Sequence, residues 1–280
     1  MRKLIVTADD FGVSVAVNDA VEQGHRQGIL TCASLMVAGE AAADAVARAR
    51  AMPTLGVGLH LVLVDGRPVL PPETVPDLVK RDGRFRDDMV CAGVHFFFRP
   101  AVRRQLEAEI AAQFAAFAAT GLPLDHVNAH KHFHLHPTIA SLILKIGRRH
   151  GMRAVRAPIE PRATLRKIEA VRGFDIALPW AKLVRRRLRR AGLAVPDQVF
   201  GLAWSGALNK DRLRGLLAHL PEGLTEIYAH PATASYPGSA PGYAYAAERD
   251  ALIDPLARDL IKRERVALGR FADFTEARPA

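Results

Sequence analysis

The chain of 280 residues is 49% hydrophobic and 24% charged, which supports a sizeable buried core and excludes a disordered or low-complexity polymer. Lysine and arginine exceed aspartate and glutamate by 39 to 29, for a net charge of +10, a balance that favours acidic partners such as nucleic acid, phospholipid surfaces or anionic substrates. The two cysteines, Cys32 and Cys91, lie in unrelated segments, which excludes a disulfide framework and a thiolate metal site.

Apolar, β-branched runs alternate with helical patterns from end to end, which predicts repeated βα units around a parallel sheet. Strands are expected at 4–8, 33–37, 56–61, 126–129, 154–156, 199–203, 226–229 and 267–271, and helices at 15–27, 40–52, 101–120, 138–150, 182–191, 210–219 and 246–263. About eight such steps predict an α/β fold: an irregular (β/α) TIM-like barrel with parallel strands, forming a single domain over 1–280. Two segments interrupt the rhythm. Residues 65–100 hold a Pro-rich loop and then Phe96, Phe97 and Phe98, too long for an ordinary connection and a candidate lid or substrate-side insertion. Residues 231–245 form a second loop rich in Pro, Gly and Tyr.

The first apolar run is too short for a signal-peptide core, and no run approaches the roughly 18–20 apolar residues needed to span a bilayer. A cytoplasmic protein is expected. Residues 182–190 place Leu183, Val184 and Leu188 among six basic side chains, as a basic amphipathic helix would. It reads either as a solvated face or as a surface drawn to an anionic membrane.

Asp9 and Asp10 stand where the first strand ends, the position at which functional groups collect in a parallel barrel. Two adjacent carboxylates repel unless a cation stands nearby, and a metal held by one, with the other left as a base, resolves that conflict; a turn or helix cap is the plainer reading. His60 closes an apolar strand. Residues 126–137 then contain five of the eleven histidines, an unusual concentration of ligands suited to Zn²⁺ and other borderline metals. The alternation at 130, 132, 134 and 136 predicts one face of an extended strand, with His136, beside Pro137, a bystander. Arg156 and His230 close later strands and extend the pattern of strands that end in ionisable groups.

These motifs resemble the YdjC-like carbohydrate deacetylases: residues 7–12 (TADDFG), 58–61 (GLHL) and 126–134 (HVNAHKHFH) fall in that family's order and spacing. Within the family the chain is most similar to the hopanoid biosynthesis-associated deacetylase branch, in the segment ending HLHP, in VRAP and in AHP. It departs at Asn128, where the commoner pattern has an aspartate. The resemblance implies that Asp10, His60 and His130 bind one divalent metal ion, Zn²⁺ favoured and Mg²⁺ the alternative, while Asp9 serves as base. It implies removal of an acetyl group from an N-acetylglucosaminyl unit, on a glycosylated hopanoid lipid. Chitooligosaccharides or other soluble amino sugars are the alternative substrates, and metal-dependent phosphoester hydrolysis the alternative reaction. The departing amine needs an acid, for which His230 is expected, with His132 and His134 as rivals. Arg156 would orient Asp9 or hold the sugar, and Phe97 would meet an apolar aglycone. The basic segment then suggests peripheral contact with the inner membrane. No nucleic-acid motif accompanies the charge, and the partners expected are a small amino-sugar or glycolipid substrate, with a homodimer left open.

Overall fold

A computed structural model describes residues 1–171 and 178–275. Seven strands form one sheet: β1 (Arg2–Phe11), β2 (Cys32–Leu35), β3 (Gly56–Leu61), β4 (Val127–Ala129), β5 (Gln198–Phe200), β6 (Gly223–Ala229) and β7 (Ala267–Leu268). Their order is β4-β3-β2-β1-β6-β5, with β7 beside the start of β1, and every pairing is parallel. The sheet curls into a half-barrel. Segment 154–159 spans its open side: Val155 bridges to Val127 of β4, and the Val199 N–H of β5 donates to the Ile159 carbonyl. The strand expected at 154–156 is therefore reduced to isolated bridges, and the architecture is a barrel-like α/β fold with one irregular stave.

Eleven helices surround the sheet among the described residues: α1 (Val15–Gln27), α2 (Ala42–Arg50), α3 (Met89–Phe98), α4 (Pro100–Ala119), α5 (Pro137–Gly147), α6 (Arg162–Leu165), α7 (Leu178–Arg190), α8 (Lys210–Ala218), α9 (Tyr245–Leu252), α10 (Pro255–Arg263) and α11 (Phe271–Phe274). Local chemistry sets their ends. Ser14 accepts the Val17 N–H and Asp88 those of Val90 and Cys91, as helix caps do. Pro100, Pro137 and Pro255 open helices, where a missing N–H costs nothing. Pro255 also divides the expected helix 246–263 in two, because the residue before a proline is pushed out of helical backbone and Asp254 is extended.

Central strands are buried on both faces, so β1 to β3 read as near-continuous apolar runs. Their outer faces join the helices in one large apolar core. Inside the curl, Ile5, Cys32, Ala154 and Phe271 plug the end where the strands begin. Polar groups occupy the rest of the interior, toward the end where the strands finish.

Two expectations about local backbone are corrected. Residues 130–135 are a 3₁₀ turn broken at Lys131 and His132, both left-handed with φ of 53° and 56°, so the alternating histidines do not share one strand face. Phe96, Phe97 and Phe98 lie on helix α3, a helix absent from the sequence reading. Phe96 is buried, while Phe97 and Phe98 are exposed and meet edge to face at 4.9 Å.

Candidate active site

Successive residues of a regular strand point to opposite faces, so Asp9 and Asp10 could not both enter the barrel from an ideal β1. The strand departs from ideality there. Between Ala8, paired with Ala33, and Phe11, paired with Leu35, β1 carries one residue more than β2, and Asp10 has φ of 63°. This bulge re-aims one side chain, and both carboxylates line one cavity of about 620 Å³. The loop beyond is pinned by Asn18, whose side chain accepts the Gly12 N–H at 2.8 Å and donates to the Ala41 carbonyl.

Asp10 Oδ1 lies 3.2 Å from His60 Nε2 and 3.2 Å from His130 Nδ1. One ligand atom from each of the three residues falls within 4.8 Å of the others. His60 Nε2 is buried and, apart from the Asp10 oxygen at 3.2 Å, meets no partner, while its Nδ1 donates to Asn128 Oδ1 at 2.6 Å. A buried lone pair of this kind is costly unless a cation or donor meets it. Two imidazoles and a carboxylate suit a divalent ion and leave a coordination position open, so the residues fit a metal. Burial alone would raise the Asp10 carboxyl, but His130 and His60 outweigh it and hold it well below its usual range. Burial pulls the His60 imidazole down, and the charges of Asp9 and Asp10 more than restore it.

Asp9 makes a different set of contacts. Arg156 donates to both its oxygens, Nη1 to Oδ2 at 2.5 Å and Nη2 to Oδ1 at 3.0 Å, and Asn128 donates to Oδ1 at 3.2 Å. Arg156 is wholly buried. It also donates to Glu226, which takes the Thr7 hydroxyl as well, and its guanidinium lies 4.5 Å from the centre of the Tyr228 ring. Burial would raise the Asp9 carboxyl, yet the charges of Arg156 and His60 and the Arg156 hydrogen bonds together outweigh it and keep it ionised. Asp9 is thus an oriented carboxylate beside, and distinct from, the three ligand atoms.

His230 and His132 line the same cavity, as does Tyr228. His132 Nε2 is paired with the Tyr228 hydroxyl at 2.9 Å, and burial together with the Arg156 charge pushes its imidazole well below the usual range. His134 is buried behind the cavity wall, both ring nitrogens unpartnered, and burial pulls it down to about 3. The His230 N–H is held by Glu248 at 2.5 Å, and its ring packs between Tyr228 and Tyr243. Asp65, Arg67 and Arg84 bring the 65–100 segment to the cavity, and Tyr236 and Tyr243 bring the 231–245 loop.

Three sequence expectations do not meet the cavity. Arg156 is sealed behind Asp9, so it orients that carboxylate rather than a sugar. His134 is likewise closed off, and Phe97 stands on α3, packed against Phe98 and His136. His136, the expected bystander, packs on Phe96 and Phe133. Glu226 and Tyr228 went unread, although with His230 they alternate along β6, a period-2 pattern of polar groups that the sequence displays.

The sequence profile of the YdjC-like protein family matches residues 3–263. A carbohydrate deacetylase of Geobacillus stearothermophilus is 32% identical over 250 residues, covering 89% of this chain and 86% of that one. One from Brevibacillus brevis is 44% identical over 147 residues, an aligned stretch covering 51% of this chain and 55% of the relative. The crystal structure of an Enterococcus faecalis V583 protein, provisionally named for cellobiose-phosphate cleavage, superposes with a TM-score of 0.77 over 98% of this chain and 99% of that one. At 24% identity, that likeness speaks to the fold alone.

Proposed function

Because the chain belongs to the YdjC-like family, we propose that it is a carbohydrate deacetylase, a hydrolase that uses one divalent metal ion to release acetate from an N-acetylated amino sugar. The observation that carries the metal is the buried Nε2 of His60 facing Asp10 and His130. The names of the relatives carry the substrate class.

Asp10, His60 and His130 would hold the ion, which supplies Lewis acidity to the acetyl carbonyl and lowers the pKa of water. Asp9, kept ionised by Arg156, orients the attacking water and takes its proton. Its basicity is modest for the same reason, and placement rather than proton affinity is what it contributes. His230, just past the end of β6, the strand paired with β1, donates the proton with which the amine departs. His132 and His134 serve less well, being held neutral by burial, one paired to Tyr228 and the other shut away from the cavity. Tyr228, Tyr236 and Tyr243 give the sugar an aromatic wall.

The finer reading is a glycolipid substrate, in keeping with the likeness to the hopanoid biosynthesis-associated branch. A second hollow of about 590 Å³ supports it, lined mainly by apolar residues including Met89, Phe133, Leu135, Pro158 and Trp180. The hollow meets the first cavity at Lys131, His132 and Leu202. Among the described residues no helix is long and apolar enough to cross a membrane. On α7, Trp180 and Leu183 are exposed beside Lys182 and Arg186. Arg189 is paired with the Asp197 carboxylate, so membrane attraction rests on the remaining basic residues.

Acetate release decides the reaction. Zn²⁺-loaded protein should release acetate from N-acetylated chitobiose or a glycosylated hopanoid, and Asp10→Asn should abolish it. Preference for the lipid substrate supports the finer reading and preference for chitobiose the soluble-sugar alternative; release of phosphate from a phosphoester in place of acetate sinks the deacetylase.

A further inference from the structure

Beneath the three ligand atoms a column of buried polar side chains runs down the barrel interior, and its bonds admit one direction. Asp125 Oδ2 lies 3.0 Å from His126 Nδ1. An ionised carboxylate only accepts, so His126 Nδ1 carries the proton, and in the neutral imidazole Nε2 must then accept. Its neighbour is Ser34 Oγ at 3.0 Å, which therefore donates its one hydrogen there. The serine oxygen is left as an acceptor for Asn128 Nδ2 at 2.9 Å. That turns the amide oxygen of Asn128 toward His60, whose Nδ1 donates to it at 2.6 Å, and the second amide hydrogen goes to Asp9 Oδ1 at 3.2 Å. Ser34, His126 and Asn128 are wholly enclosed.

We infer that Asp125, His126, Ser34 and Asn128 form a positioning chain that fixes the proton of His60 on Nδ1 and leaves Nε2 as the ligand atom. The fold is shaped around this chain. A Cβ on Gly58 would stand 2.5 Å from the His126 ring, so only glycine admits it. Phe271 stacks on the other side at 4.5 Å, and the Ala272 N–H holds the second oxygen of Asp125 at 3.0 Å. Burial raises the Asp125 carboxyl, but the hydrogen bonds from His126 and the Ala272 N–H outweigh it, so it remains the acceptor that starts the chain. Asparagine at 128 is the consistent choice, since an aspartate there would offer Asp9 no donor and set two carboxylates side by side. Cys32, Asp125 and His126 also present ligand atoms within 4.8 Å of one another. Their polar atoms already bond to each other and to Ser34, and burial pushes the Cys32 thiol well up, so the trio is an anchor and not a second metal centre. Partners of this kind orient metal-bound histidines and typically change metal affinity by about 10- to 100-fold when removed.

The purpose given to the chain rests on the metal reading above, whereas its bonds do not. The test uses imidazole ¹⁵N spectra of metal-free protein at alkaline pH, together with Zn²⁺ affinity measured by competition with a chromophoric chelator. Wild-type protein should show Nδ1–H on both His60 and His126. Ser34→Ala should shift both rings and weaken Zn²⁺ binding about 10-fold; Cys32→Ala, which leaves the chain's bonds in place, should do neither. A His60 spectrum in Ser34→Ala identical to wild type, or Nε2–H on either ring of the wild type, overturns the chain. Wild-type protein that takes up no Zn²⁺ overturns the metal reading instead, and the spectra still decide the chain.

Discussion

At Asp10 the backbone takes a conformation that costs an L-residue roughly 1–2 kcal/mol and glycine almost nothing. The φ of 63° is what brings two consecutive carboxylates into one cavity. Asp10→Gly should therefore unfold at higher urea than Asp10→Ala, by about 1 kcal/mol, although both remove the same proposed ligand. Equal stabilities would show that the bulge stores no strain. Arg156 presents the opposite case, since removing it strands Asp9 and Glu226 as buried charges. Arg156→Gln should cost about 3–5 kcal/mol in denaturant unfolding, and a loss below 1 kcal/mol would mean that the pair is compensated elsewhere. Asp125 sets a pH dependence. Its folded carboxyl lies below the ordinary value of 3.8, so its contribution is complete above that pH and vanishes as pH falls through the folded value. Asp125→Asn should thus be less stable than wild type at neutral pH, with the gap narrowing in acid.

At the scale of elements, the strands were legible because β-branched, apolar runs are what a sheet buried on both faces requires. The bulge was not legible: no glycine marks position 10, and only pairing with β2 shows that β1 carries a surplus residue. The 3₁₀ turn at His130–Leu135 was misread for a related reason. Alternating histidines imitate a strand, whereas the backbone reverses at two left-handed residues, and that reversal separates His130, which faces Asp10, from His134, which is sealed in. Ser34, Glu226 and Tyr228 had only the weak signal of inward alternation, and nothing local shows which strands meet. The end of β6 depends on a neighbouring helix, because Glu248 of α9 accepts the N–H groups of His230 and Leu208. Glu248→Ala should lower kcat more than it raises KM, with a stability loss of about 1.5–3 kcal/mol, whereas a pure KM effect would place His230 in binding alone.

For the whole molecule, the three proposed ligands come from β1, β3 and the end of β4, so an ion there would tie separate staves of the barrel together. A ligand that binds only the folded state stabilises it by about 2.7 kcal/mol at a hundredfold excess over Kd, which for a chain of this size is a rise in Tm of about 5 °C. Differential scanning fluorimetry with Zn²⁺ and then with EDTA checks this, and a Tm insensitive to both would remove the metal from the site. The parallel architecture and the end of the barrel that carries chemistry were both inferable from element order and from where Asp9, Asp10 and His60 fall. Closure by the irregular segment 154–159 was not, since it pairs through bridges rather than a strand.

The 231–245 loop begins and ends at nearly the same point. The Ala232 N–H bonds to the Tyr245 carbonyl, and the Thr233 N–H bonds to that of Ala16, while Tyr236 and Tyr243 reach the cavity from the span between them. A span pinched at its neck is an exchangeable cassette: its length can be rewritten without disturbing the strands beneath it, provided that Tyr243, which packs on the His230 ring, is kept. On the proposed reading, the choice of sugar would drift with this span while the catalytic groups stand still.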